Sequence, residues 1–413
     1  MSIMIATARA LGVVSALGVL AACSPPRGRP GQDAASPAPT PSASAPPVAP
    51  SAPVAHAPPA PSATVASPSS KPCACRLTYG PARQPFVGDV ALAATDAGVL
   101  LVTQQDGIAA VREVIAGSAA APVVDAAVPR VGSPPCAVAG AFSFCMDRLG
   151  AIHRRPLAAQ EPDVVVARGR PGGAFAAEAI GGAHAVVAFV ADRRTTEGIV
   201  SEAYAVLDTG PSLRVSDEGS GATSVALAPR GSSVLVLLLD GRVAMTPAHA
   251  RTLAVVDGKL EVGADAVIFL GGEAEAHTRG VLGVSATGAA FALIPIAEAA
   301  GFGMASVRID DPPRLDEPVT WSMYPNGLDP APVVATHGGP IRVARVRPTD
   351  ARFDAPWGLE LGAIDDAGAF ASYGLVATRG RVRSASLAAD RAGMLWLSYR
   401  DDEGVWLERR RCP

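Results

Sequence analysis

Six cysteines, six histidines and a few paired carboxylates are the residues of this chain with the most chemistry to offer. Cys73 and Cys75 are separated by one alanine, Cys136 and Cys145 flank eight residues, and Cys412 is the penultimate residue. One intervening residue and no histidine cluster do not make a zinc-ligand spacing, so no metal or other cofactor is expected. His153, His184, His249 and His277 are scattered singly and read as isolated surface or strand residues, and His56 lies in a Pro- and Ala-rich stretch and needs no role. His337-Gly338-Gly339 could offer backbone N–H groups to an oxyanion, but no Gly-x-Ser-x-Gly elbow supplies a nucleophile. It reads as a strand end followed by a turn. Asp310-Asp311 and Asp316-Glu317 bracket Pro312-Pro313 and read as a solvated acidic loop rather than an acid–base or cation site. Phosphate-loop, metalloprotease-helix and calcium-loop patterns are absent.

The scaffold that must position these residues is constrained by composition. With 35 basic and 38 acidic side chains the net charge is −3, which gives no footprint for nucleic acid. Arginine is abundant and lysine is confined to Lys71 and Lys259. That bias marks a GC-rich coding sequence and is no sign of phosphate binding. Forty-two glycines and 38 prolines are too many for a helical protein.

The chain opens with one positive charge at Arg9 and an apolar run from Ala10 to Leu20. Eleven helical residues reach roughly half of a bilayer core, so this is a leader and not a span. The run ends in Leu20-Ala21-Ala22-Cys23, which resembles the lipobox of bacterial lipoproteins. The resemblance implies diacylglyceryl transfer to the Cys23 thiol, cleavage before it, and acylation of the new amine. Residues 1–22 are then a signal peptide and Cys23 anchors the protein in a membrane of the cell envelope. Ser24 in place of aspartate favours the outer membrane, at its periplasmic face or at the cell surface. Residues 23–72 are dominated by Pro, Ala, Ser, Thr, Val and Gly, have too little to bury to offset their chain entropy, and form a disordered linker. At about 3.1 Å per residue in polyproline II, it reaches on the order of 100 Å.

Residues 73–413 carry a repeat. A glycine turn between two apolar runs recurs at Asp106-Gly107, Leu149-Gly150, Glu197-Gly198, Asp240-Gly241, Thr287-Gly288, Trp357-Gly358 and Glu403-Gly404. The glycines are 43, 48, 43, 47, 70 and 46 residues apart. Ala-rich strands precede several of them: Asp89 to Ala93, Ser224 to Ala228 and Ser384 to Ala388. A period of 40–50 residues with four strands per unit resembles the broad quinoprotein-like and WD-repeat-like class of β-propellers. The resemblance is architectural and implies fold alone, with small residues on inner strands that crowd a central channel. Seven four-stranded blades are predicted, with the 70-residue gap containing an insertion at about 295–328.

The last repeat lacks a fourth strand, and Arg76-Leu77-Thr78-Tyr79 has no blade of its own. Pairing it with Val405 to Arg411 closes the ring and sets Cys73 or Cys75 beside Cys412. A hairpin about residues 140/141 pairs Cys136 with Cys145. All four tryptophans and three of five tyrosines lie in the last quarter, and Trp321 and Tyr324 fall in the insertion. With His337 they are the candidate binding residues. No catalytic residue is named. The expected protein is a lipid-anchored, non-catalytic propeller that binds a protein or glycan through loops on one face. A propeller hydrolase or lyase acting on polysaccharide or peptide is the alternative. The channel mouth discriminates: converging Asp, Glu, His and Arg favour the enzyme, and Ala, Gly, Ser and Val favour the binding module.

Overall fold

A computed structural model describes residues 73–413 except 86–89, 96–97, 106–107, 116–135, 158–161, 182–183, 197, 242–246, 271–278, 299–300, 314, 316–317, 325–332, 336–338, 350–356 and 391. Their regular structure is entirely β-strand. No helix among them is long and apolar enough to cross a membrane. After β1 (Arg76–Gln84), the strands fall into antiparallel sheets that follow the chain. The first sheet is β2 (Ala91–Ala94), β3 (Gly98–Gln105) and β4 (Ile108–Ile115). It is followed by β5 (Cys136–Ala139), β6 (Phe142–Met146), β7 (Ala151–Pro156) and β8 (Val164–Arg168). Then come β9 (Phe175–Ile180), β10 (His184–Thr195), β11 (Gly198–Leu207) and β12 (Leu213–Arg214).

The next sheet holds β13 (Ala222–Arg230), β14 (Ser233–Asp240), β15 (Pro247–Val256), β16 (Lys259–Val262) and β17 (Ala266–Leu270). Its fourth position is split, β16 pairing with one half of β15 and β17 with the other. The last three sheets begin with β18 (Val281–Val284), β19 (Ala290–Glu298), β20 (Gly301–Ile309) and β21 (Val319–Tyr324). Next are β22 (Val333–Ala335), β23 (Ile341–Pro348), β24 (Trp357–Ile364) and β25 (Phe370–Val376). The final sheet is β26 (Ser384–Ala389), β27 (Leu395–Asp401) and β28 (Gly404–Arg411), completed by β1.

The inner strands touch in the cyclic order β26, β2, β5, β9, β13, β18, β22 and back to β26, and the fold is a β-propeller. The blade count corrects the sequence reading of seven four-stranded blades. Six blades have four or five strands, and β2–β4 is a three-stranded sheet. Counting glycine turns counts hairpins and says nothing of how many strands each sheet holds. The stretch where a fourth strand would follow β4, 116–135, lies outside the described residues.

The 70-residue gap is also corrected. Gly288 ends the turn between β18 and β19, the first two strands of its blade, so it breaks the phase of the other six. Residues 295–328 are therefore no insertion over a face; they include the end of β19, all of β20 and β21.

Alternation along the central strands builds the core. Val234, Val236 and Leu238 of β14 face the blade before, with Val186, Ala188 and Ala203; Leu235, Leu237 and Leu239 face the blade after, with Ala292, Ile294 and Val307. The interface between β2–β4 and β5–β8 has the smallest buried apolar cluster, Val102 with Cys145. There the Cys136–Cys145 disulfide joins directly paired residues of β5 and β6.

The seam is formed by β1 against β28, Arg76 opposite Arg411 and Gln84 opposite Val405. Cys75 is bonded to Cys412 across 337 residues of sequence, which settles which thiol closes the ring. Gly80 sits at an irregularity of this pairing with φ +79°, and a Cβ there would strike the Leu407 carbonyl oxygen.

Candidate functional site

The propeller channel opens at the N-terminal ends of the inner strands into a cavity of about 610 Å³. Its wall is contributed by Val90–Ala91, Cys136–Ala137, Ala174–Ala177, Ser224–Leu227, Arg279–Leu282 and Arg383–Leu387, with Val334, Ala344 and Val346. Sequence dictates this shape. Inner strands converge on the axis, and Ala- and Ser-rich starts leave space that larger side chains would fill. Two lining residues are ionisable: Arg383 immediately precedes inner strand β26, and Arg279 lies two residues before inner strand β18. Arg383 donates through Nε and Nη2 to Oδ1 of Asp402 at 3.2 and 2.8 Å. That hydrogen bonding, with the Arg381 N–H, holds the Asp402 carboxyl below its ordinary range. The wall contains no Asp, Glu, His or Lys among the described residues.

The residues singled out in the sequence lie elsewhere. Trp321 and Tyr324 are on β21, the outermost strand of its blade, opposite Met304 and Phe302. His337 and Cys23 lie outside the described residues. Trp396 and Trp406 are buried between blades, with Trp406 Nε1 donating to Asp401 at 2.9 Å. Cys73 is a free, half-buried thiol whose N–H donates to Leu375, and burial pushes its pKa up. Asp310 and Asp311 line a second cavity of about 450 Å³ with Arg230, Arg308 and Asp366. There Arg308 bonds the Asp310 carboxylate and Arg230 its carbonyl oxygen.

The reading of isolated histidines is corrected for all three that are described. His153 is 3.3 Å from Asp147, His184 2.6 Å from Asp208 and His249 2.8 Å from Asp265. These partners come from neighbouring strands or turns, which single-residue spacing does not reveal. None of the three pairs lines the channel cavity. Among the described residues no three His, Cys, Asp or Glu side chains gather as a metal site.

One half-buried and one buried carboxyl also escaped the sequence reading. Glu178 sits on inner strand β9, and burial pushes its pKa up to about 7 against the weaker pull of the Ala179 N–H. Glu360 is the buried one; burial alone would raise it, but Arg345 and Arg347, donating at 2.6–3.1 Å, bring it below its ordinary value. For Arg383 the legible signal was positional, a charged residue directly before the Ala- and Ser-rich strand β26; Arg279, two residues before β18, carried no such mark.

No family model matches the sequence, and no curated protein matches it. Among solved structures, puromycin hydrolase aligns at 13% identity over 81% of this chain and 55% of its own, with a TM-score of 0.44. This chain thus spans little more than half the length of that enzyme. The Cps50 β-propeller domain of Myceliophteria thermophila aligns at 11% identity over 82% and 100%, with a TM-score of 0.47. Hydrazine synthase of Kuenenia stuttgartiensis aligns at 12% identity over 79% and 96%, with a TM-score of 0.48. At this level of similarity no residue role carries over.

Proposed function

We propose that this protein is a lipid-anchored binding propeller of the cell envelope, with Cys23 as the acylated residue, residues 23–72 as a tether, and residues 73–413 as a non-catalytic domain that takes a partner at the channel mouth. The observation that carries this reading is the wall itself. General acid–base hydrolysis or elimination needs a carboxyl, imidazole or comparable group within hydrogen-bond reach of the scissile bond. The described wall offers alanine, valine, serine and two arginines. Apolar concave surface with a few fixed polar groups is the ordinary character of a binding site. The ring, closed by Cys75–Cys412, keeps the mouth preformed, which lowers the ordering cost of association.

Metabolic labelling with an alkyne palmitate, followed by capture of the full-length protein from membranes, tests the anchor. Label is expected on the wild type and absent from Cys23→Ser. Label that persists in Cys23→Ser, or none on the wild type, overturns the localisation. Turnover of a polysaccharide or peptide substrate by the purified protein, unaffected by changes in the mouth, overturns the binding reading.

A further inference from the structure

We infer that the mouth accepts an acidic protein segment: a loop or chain end whose carboxylate lies between Arg279 and Arg383 and whose aliphatic flanks rest on the inner-strand wall. This rests on the binding-module reading above and names its partner chemistry.

The ionisable side chains in the described wall are both guanidinium groups, so the mouth favours an anion. Arg279 is exposed and has no ion-pair partner among the described residues. Arg383 is anchored along one edge by Asp402 through Nε and Nη2, which fixes its plane and leaves Nη1 for a ligand. A guanidinium held this way presents a preformed donor to a carboxylate oxygen, and such charge-assisted bonds are stronger than neutral ones.

The wall then separates protein from glycan. A sugar ring carries hydroxyls on most of its edge, and each one desolvated without a partner is costly. Against them the described wall sets three serines, one aromatic ring at Phe175, and no side-chain amide or carboxylate. Alanine, valine and leucine side chains suit the methylenes and methyls of a peptide. A cavity of about 610 Å³ lies within the ordinary range for ligand-sized sites.

The test uses the immobilised full-length protein and a random heptapeptide phage library, beside an array of neutral and uronic-acid oligosaccharides. Selected peptides are expected to carry Asp or Glu flanked by Val, Leu, Ile or Ala. Affinity of the synthesised winner is expected to fall at least about tenfold for Arg279→Gln/Arg383→Gln and for the peptide's acid-to-amide analogue, the size of one lost charge-assisted contact. Arg279→Lys/Arg383→Lys should retain part of it, and Arg279→Glu should turn selection away from acidic peptides. An unchanged Cys75–Cys412 linkage checks that each variant remains closed. Winners without carboxylates, equal affinity for the double variant, or failure to select any peptide each overturn the inference. Saturable binding on the oligosaccharide array without peptide selection overturns it while leaving the binding module standing. Cleavage of array or peptide ligands overturns the reading beneath it.

Discussion

Blade β13–β17 and the closing blade of β26–β28 with β1 occupy the same ring and are held by different means. In the first, β14 buries an unbroken run, Val234 to Leu239, and packs valine and leucine against both neighbours. In the second, Trp396, Tyr399 and Trp406 are buried with the pair Arg410–Glu408, and the half-buried Arg409 pairs with buried Asp390. The first blade is local in sequence, so hairpin turns fix its register and the core need only be apolar. At the seam the paired strands are more than 300 residues apart, and no turn aligns them. Register there is written in side chains: Cys75–Cys412, Arg410 Nη1 to the Cys75 carbonyl at 3.0 Å, and Thr78 Oγ1 to the Arg409 carbonyl at 3.0 Å. Closing a ring by its two ends thus demands more specific, more polar contacts than continuing one.

The largest effect that tests this contrast is the loss of the latch. Cys412→Ser opens a loop spanning 337 residues, for which chain entropy gives about 6 kcal/mol. Cys136→Ser/Cys145→Ser releases a separation of nine residues, for which the same relation gives about 3 kcal/mol. Urea denaturation of both variants beside the wild type measures the difference. Equal losses would mean that β1 stays paired by its other contacts, and the seam would then be no weaker than a hairpin.

Next comes the pH response of the mid-ring, where Glu178 on β9 lies in the blade beside β13–β17. Its ordinary pKa is 4.5 and its folded value about 7, so the folded protein holds the proton more tightly than the unfolded chain. Stability therefore falls as pH rises from about 4.5 to about 7 and is level above, by up to about 3 kcal/mol. Glu178→Gln should remove that slope and raise the melting temperature at pH 8. A slope that survives the substitution assigns it to another group.

At the seam, Asp401 ends β27 and accepts from the Arg379, Glu403 and Gly404 N–H groups as well as from Trp406 Nε1. Asp401→Ala leaves the buried indole N–H without this acceptor and should cost about 2 kcal/mol. Asp401→Asn, which retains an acceptor oxygen, should recover part of it in the same denaturation series. No recovery would make charge, rather than hydrogen bonding, the basis of that turn.

How far these features could be read in advance follows the same division. The pairing of Arg76–Leu77 with the last strand and the Cys75–Cys412 site were legible because the final repeat lacked a strand and cysteines sat at its ends, and Cys136–Cys145 was legible because the two flank a hairpin turn. Glycine turns revealed hairpins because Gly150 and Gly404 adopt positive φ. The same rule misled at Gly288, which also needs positive φ but turns between a different pair of strands. That β2–β4 has three strands among the described residues left no local mark. Arg279 and Arg383 were passed over because what makes them a pair is the ring, which brings together strands more than 100 residues apart. His249 and Asp265, 16 residues apart, meet because Asp265 directly precedes β17, which pairs with β15.

That His249–Asp265 pair supports the smallest of these effects. The hydrogen bond that His249 donates to the Asp265 carboxylate raises the His249 pKa above its ordinary 6.5, outweighing burial, and the Asp265 carboxyl is lowered although burial opposes it. Arg251 also reaches Asp265 at 2.9 Å and pairs with Asp217 in the connection to β13, while Asp240 adds to the negative field around the ring. A histidine with a raised folded pKa contributes stability that is fully present below 6.5 and is lost as pH rises through the folded value. This loss begins where the Glu178 slope is ending, so the two are separated by variants rather than by pH alone. In a Glu178→Gln background, a shallow decline in melting temperature above pH 6.5 is expected, and His249→Gln should flatten it. Because Arg251 remains to neutralise Asp265, the substitution should cost little at pH 8. A large loss there would show that the imidazole holds β15 to the fourth-strand position even when neutral, and the aliphatic blade would then share the seam's dependence on polar contacts.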